Sequence, residues 1–273
     1  MLKKMLLAGI AALPVIVGAI GTPAAKGALD SLDIGTFSAN IGIFSDYVFR
    51  GISQTNESVA LQGGFDWEHD LGIVGDEAGL GLYAGVWGSN VDFVGITSES
   101  LEIDVYGGIT GEVPGFSRAA LIEAVTFDLG AIYYWYPGAS NGLQLDYYEL
   151  TGGLGFDFGH FSLGGAIFYS PNFTGDTGEA IYSEVNIAVP LPMGLTAGGF
   201  IGYQTIKDND GFGLPDYTVW GASVDFDIGT LHSKLSGVTL GFQFVGSDIP
   251  EAACGTQLCD ERYTVSLSAD IGG

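Results

Sequence analysis

The chain has 273 residues and a formal net charge of −24, from 8 Lys+Arg against 32 Asp+Glu. That acidity excludes a binder of nucleic-acid phosphates and favours cations near any pore it lines. Hydrophobic residues reach 47%, charged residues only 15%, and mean hydropathy is +0.33, a balance too apolar for an ordinary secreted soluble domain.

The amino terminus reads as a secretory signal peptide. Lys3 and Lys4 form a basic start, Met5 to Ile20 is apolar, and small residues follow at Ala24, Ala25 and Ala28. Cleavage is expected near Ala25, so residues 1–25 are the signal and residues 26–273 one domain. No later stretch offers the ~20 apolar residues of a membrane-spanning helix. The 45 glycines, 17 Phe, 13 Tyr and 4 Trp suit bent, closely packed strands. Export, no helical span and apolar β composition point to a Gram-negative outer-membrane barrel.

Period-two alternation then predicts strands in order. The first runs from Ser38 to Thr55, with Ala39, Ile41, Ile43, Tyr47 and Phe49 on one face and Asn40, Asp46 and Arg50 on the other. Val59 to Glu68 returns, and a turn from His69 to Ala78 follows. Leu80 to Phe93 is apolar on both faces, and Leu101 to Thr110 alternates with Glu102 and Asp104. The connector 111–123 leaves room for a short helix at Arg118 to Ala124. Further strands are expected at 126–136, 148–158, 161–169, 181–189, 195–206, 218–228, 238–244 and 263–271, with a tight turn at Gly159 and another at Pro190 to Gly194. About twelve strands, an even number, suit an up-and-down antiparallel transmembrane β-barrel. With both termini in the periplasm, the connections near Gly51, Ser89, Pro137, Ser170, Lys207 and Gly246 lie outside.

Several stretches together resemble the TorF-type porin family: SANIGIFSDYVFRGISQT, ALQGGFDW, LYAGVWGSNVDF, IDVYGGITGEVPGFS, IYYWYPGA and FYSPNF. These are Gram-negative outer-membrane proteins grouped as a domain family of unknown function. The resemblance spans nearly the whole mature chain. It implies a barrel with channel function, no cofactor, no established catalytic residues, and the barrel assembly machinery as a partner. One departure is the end, Ser268-Ala269-Asp270-Ile271-Gly272-Gly273, where such barrels usually finish on an aromatic residue.

The residues that bear chemistry point the same way. Asp46, Arg50, Asp66, Glu68, Glu102, Asp104, Glu149 and Asp225 are candidate pore-lining residues. Glu184, Asp157 and Asp227 share the polar faces. Arg50 is expected to pair with these acids across the lumen and to help set a constriction. His160 and Ser162 share a face, a spacing that resembles outer-membrane phospholipase. Parity turns both into the lumen, however, with no third group to orient the base, so no enzyme is expected. Cys254 and Cys259 are expected to form a disulfide in an oxidising compartment. No second Cys/His pair completes a metal site, and Asp208 to Asp216 lacks calcium-loop spacing. The reading is a passive channel for small hydrophilic solutes with cation bias, surrounded by outer-membrane lipid. The alternatives are a filled barrel that acts through its surface loops, and a soluble β-sandwich.

Overall fold

The computed structural model describes residues 34–73, 79–93, 100–115, 121–139, 142–208, 214–254 and 257–272. The expected signal peptide lies outside them, as do Arg118 to Ala120 and Asn209 to Gly213. The strands are β1 (Thr36–Phe44), β2 (Val48–Phe49), β3 (Ile52–Ser53), β4 (Ala60–Ile73), β5 (Gly79–Asn90), β6 (Leu101–Glu112) and β7 (Ala124–Trp135). They continue with β8 (Tyr147–Asp157), β9 (Ser162–Ser170), β10 (Ala180–Leu191), β11 (Leu195–Ile206), β12 (Tyr217–Asp227), β13 (Val238–Ser247) and β14 (Arg262–Gly272).

Twelve of them, β1 and β4 to β14, form one closed antiparallel barrel in sequence order. Closure comes from β1, which pairs with β4 on one side (Thr36 opposite Glu68) and with β14 on the other (Ser38 opposite Gly272). In hydrocarbon every backbone N–H and C=O must find a partner within the protein, so a sheet crosses a bilayer only as a closed ring. The alternation of each strand is the wall itself. Ile41, Phe65, Val105, Leu129, Leu150, Val185, Ile201 and Val265 point outward and stay exposed, Phe65 at 74%. A ring of exposed aliphatic and aromatic side chains suits lipid and rules out a soluble sandwich.

The inward faces explain the glycine and aromatic content together. Tyr83 on β5 lies flat across β6, and a methyl group on Gly108 would sit 2.5 Å from its hydroxyl. Tyr106 on β6 lies back across Gly85 in the same way. An aromatic on one strand covers a glycine on the next, so wide rings fit a narrow lumen.

The two ends of the barrel differ. One end carries the amino end of β1, the carboxyl end of β14, the tight turns at 158–161 and Pro192–Gly194, and the longer connections 74–78, 113–123 and 228–237. The other carries the connections 45–59, 91–100, 136–146, 171–179, 207–216 and 248–261. We call these the turn end and the loop end.

Three expectations change. The His69 to Ala78 turn is shorter, because β4 stays paired through Asp70 and reaches Ile73 across a register shift. Gly72 lies within that shift at φ +85°, as a bulge residue does. Pro190 is not in the turn but in β10, opposite Thr196. The largest change is at the first strand. It stops at Phe44, and residues 45–59 leave the wall.

Ile201 sits midway along β11 with its side chain outward. Ile201→Arg should cost about 2–4 kcal/mol of barrel stability in lipid vesicles, and Ile201→Leu less than about 1.5 kcal/mol. Urea titration of both variants checks this. Equal losses would mean that the inward and outward faces are assigned wrongly.

Candidate functional site

Residues 45–59 fold back into the loop end of the lumen as a small hairpin. Val48 pairs with Ser53 and Phe49 with Ile52. The tip is Arg50-Gly51, both at positive φ, +47° and +84°. Two consecutive left-handed residues make the turn whose twist suits a two-residue hairpin. Gly51 is needed there for a second reason. A methyl group on it would meet Val219 and Ser247, each at 3.1 Å. The base is closed by Asp46, which accepts from Ser53 Oγ at 2.6 Å and Thr55 Oγ1 at 2.8 Å. Thr55 Oγ1 also accepts from the Tyr47 amide at 3.1 Å.

This hairpin reaches every wall strand from β5 to β14. Tyr47 packs edge-on against Trp87 of β5 and donates its hydroxyl to Glu102 of β6 at 2.9 Å. Burial, with Glu102 and Asp104 nearby, pushes the Tyr47 phenol well above its ordinary value, so it keeps its proton and donates. Phe49 meets Tyr134 of β7 edge-on. Arg50 Nη1 and Nη2 donate to the two oxygens of Glu149 on β8 at 2.8 and 2.7 Å, and Nη1 also donates to Gln204 Oε1 of β11 at 3.0 Å. The guanidinium lies over the neighbouring rings of Phe168 of β9 and Tyr182 of β10, at 5.1 and 4.3 Å from the ring centres. Val48 is buried in a cluster with Val219 of β12 and Val245 of β13. Asp46 accepts from Arg262 of β14 at 2.6 Å.

Arg50 is 4% and Glu149 1% exposed. A charge so buried is tolerable only when paired and hydrogen-bonded. The bidentate geometry, the Gln204 contact and the Tyr134 hydroxyl on Glu149 at 3.0 Å supply that pairing. Aromatic faces on the cation add to it. The loop end of the lumen is therefore filled like a protein core, by a plug.

A family sequence model matches residues 32–271: Gcw_chp, a bacterial family of unknown function. The chain belongs to the Gcw_chp family. A sequence comparison with curated proteins finds no match. Among solved structures, outer membrane phospholipase A from Escherichia coli is similar at TM-score 0.50 and 13% identity, over 87% of this chain and 90% of that one. The COG4313 outer membrane channel from Pseudomonas putida F1 is similar at 0.48 and 7% identity, over 92% of this chain and all of the other. A KdgM porin is similar at 0.45 and 10% identity, over 86% and 98%. At these identities the likeness is one of fold.

In this Gcw_chp barrel the sequence-derived lining residues divide into three groups. Glu102, Asp104 and Glu149 point inward beneath or against the plug and are buried. Asp66, Glu68 and Asp225 point inward nearer the turn end. Asp66 accepts from the Tyr106 hydroxyl and from Asn40 Nδ2, and Asp225 from Ser223 Oγ at 3.4 Å. Asp46 and Arg50 are not on the wall, and they do not pair with each other. Arg50 takes Glu149 and Asp46 takes Arg262, because leaving the wall at Phe44 ends the alternation on which a shared face depended. Tyr47 and Phe49 likewise face the lumen, not lipid.

Sequence reasoning missed Asp128, Gln204, Arg262 and the lumen aromatics Tyr134, Phe168 and Tyr182. Strand parity would have found Asp128, since outward Phe127 and Leu129 flank it. Arg262 had only its rarity as a signal. His160 is exposed in the turn before β9, and Ser162 is buried at the start of that strand with its hydroxyl unpartnered. No hydrogen bond joins the two among the described residues. The disulfide Cys254–Cys259 forms.

Arg50→Ala strands Glu149 in the plug and should cost about 3–5 kcal/mol. A double-mutant cycle with Glu149→Gln, followed by equilibrium unfolding, should show a combined loss well below the sum. Strict additivity would mean that the pair is not coupled.

Proposed function

We propose that this chain is a passive outer-membrane channel for small hydrophilic solutes, with a preference for cations, whose outer mouth residues 45–59 close in the conformation described. On this reading the loop end faces outward and both ends of the wall sequence lie in the periplasm, the side of the two tight turns 158–161 and Pro192–Gly194.

The observation that carries the proposal is the distribution of charge along the lumen. Both lumen-facing cations among the described residues are paired at the loop end, Arg50 of the plug with Glu149 and Arg262 of β14 with Asp46. Below the plug the inward side chains Asp66, Glu68, Asp128, Asp225 and Asp270 face the lumen with no Lys or Arg among the described wall positions at that level. A passage lined by one sign of charge concentrates counter-ions and repels co-ions. The resemblance to TorF-type porins supports the same reading, with lipid around the wall, solutes within it and the barrel assembly machinery as the insertion partner. Residues 1–25 are proposed to be the export signal.

A second reading is a structural or adhesive barrel that works through its surface loops. It is favoured by the plug's contact with every strand from β5 to β14.

Single-channel recording in planar bilayers separates the two. The channel reading expects brief current steps from the wild-type protein, long steps from a variant with residues 47–54 replaced by a short Gly-Ser linker, and cation preference in both. Asp66→Asn with Asp225→Asn should lower the cation-to-anion permeability ratio by about twofold. A silent linker variant, folded by circular dichroism, would favour the scaffold.

A further inference from the structure

The last loop-end connection, residues 248–261, carries chemistry that a passive channel does not use. Its short helix, Glu251–Cys254, and the turn Gln257–Cys259 are joined by the Cys254–Cys259 disulfide, with Cα atoms 6.1 Å apart. This ring is not a free surface ornament. Cys259 is buried in the same cluster as Val48, Val219, Val245 and Ile249, and the turn Gln257–Cys259 lies against β3 of the hairpin.

Arg262, the first residue of β14, joins the ring to the base of the hairpin. Its Nη2 donates to the carbonyls of Gln257 at 2.8 Å and Leu258 at 2.7 Å. Its Nε donates to the Asp260 carbonyl at 3.2 Å, and its Nη1 to Asp46 Oδ2 at 2.6 Å. Asp46 in turn holds Ser53 and Thr55, the return side of the hairpin. A guanidinium has a fixed, planar fork of donors. It reaches Asp46 in this orientation because the carbonyls of the ring hold its other side, and the disulfide fixes where those carbonyls sit. A ring this short removes less chain entropy from the unfolded state than a long loop does, and its contacts with Arg262 make its effect on the hairpin local.

We propose that the Cys254–Cys259 disulfide is a redox lock on the plug: oxidised, it presents the carbonyls that orient Arg262 onto Asp46 and keep residues 45–59 seated; reduced, it releases them. The inference rests on the reading of residues 45–59 as an occluding plug. The reductant is an external dithiol. One of its thiolates attacks the half-buried Cys254 sulfur, the S–S bond breaks and Cys259 leaves as a thiolate. The second thiol then displaces Cys254 and closes the reductant's own disulfide. Two electrons and two protons pass to the protein, which ends with two thiols.

The test pairs hydrogen exchange with conductance on the full barrel in lipid, before and after dithiothreitol, with Cys254→Ser/Cys259→Ser and Arg262→Lys as genetic counterparts. The lock predicts that backbone exchange over residues 46–55 accelerates about tenfold on reduction, while exchange within β5 to β12 changes far less. Both variants should show the fast exchange without reductant, and the double Cys variant should no longer respond to it. Arg262→Lys keeps a positive charge for Asp46 but loses the fork, so it separates orientation from charge. Open time should rise with exchange. If exchange accelerates and no current appears, the lock stands and the channel reading falls. If current steps occur but neither exchange nor open time responds to reduction or to the Cys substitutions, the lock is overturned and the channel reading is untouched.

Discussion

The structure depends on one constraint: hydrocarbon offers nothing to a backbone amide. Strands in a bilayer must pair on both edges, so β1 has to meet β14, and the sheet closes. Closure then creates two surfaces of opposite character. The outer one faces lipid and takes exposed Phe65, Leu129 and Ile201 without penalty. The inner one is an enclosed space that water, side chains or a folded-in segment must fill.

In this barrel the loop end of that space is filled by its own first loop. The segment carries Tyr47, Val48 and Phe49, side chains too apolar to lie bare in water. Lipid is closed to them, because a hairpin with unpaired edges cannot enter it. The lumen is the remaining place where they can be buried, and burying Val48 alone is worth about 1.5–3 kcal/mol. Arg50 is carried in with them at the turn. Glu149, Gln204 and two aromatic rings make its burial tolerable. The polar parts of the plug are thus held by charge-assisted hydrogen bonds and the apolar parts by packing.

Below the plug the lumen is of another kind. Its carboxylates rest on tyrosine and serine hydroxyls, Asp66 on Tyr106, Asp128 on Tyr83 and Asp225 on Ser223. A neutral donor steadies a carboxylate and leaves its charge in place. An arginine would cancel it. The two halves of the lumen therefore differ in net charge as well as in packing, with the cations spent at the mouth. Asp104, buried at the boundary with both oxygens unpartnered, belongs to neither arrangement.

By itself the sequence determined the wall. Alternation over strands of about ten residues is a local property, read from neighbours, and it gave about twelve strands, the facing of those with one polar side and which connections share an end; β5, apolar on both faces, did not show its facing. Even the inward acids Asp66, Glu102, Asp104, Glu149 and Asp225 followed from parity. What only the tertiary structure decided is where the first loop goes. Ser45 to Phe49 continues the alternation of Ile41 and Ile43, so nothing local distinguishes a strand that runs on from one that turns into the lumen. The distinction lies in partners far along the chain, Glu149 and Gln204 for Arg50 and Arg262 for Asp46, which surround the loop only once the ring has closed. Period two reports which side a residue takes relative to its neighbours; it holds no information about which strands a side chain will meet across the barrel.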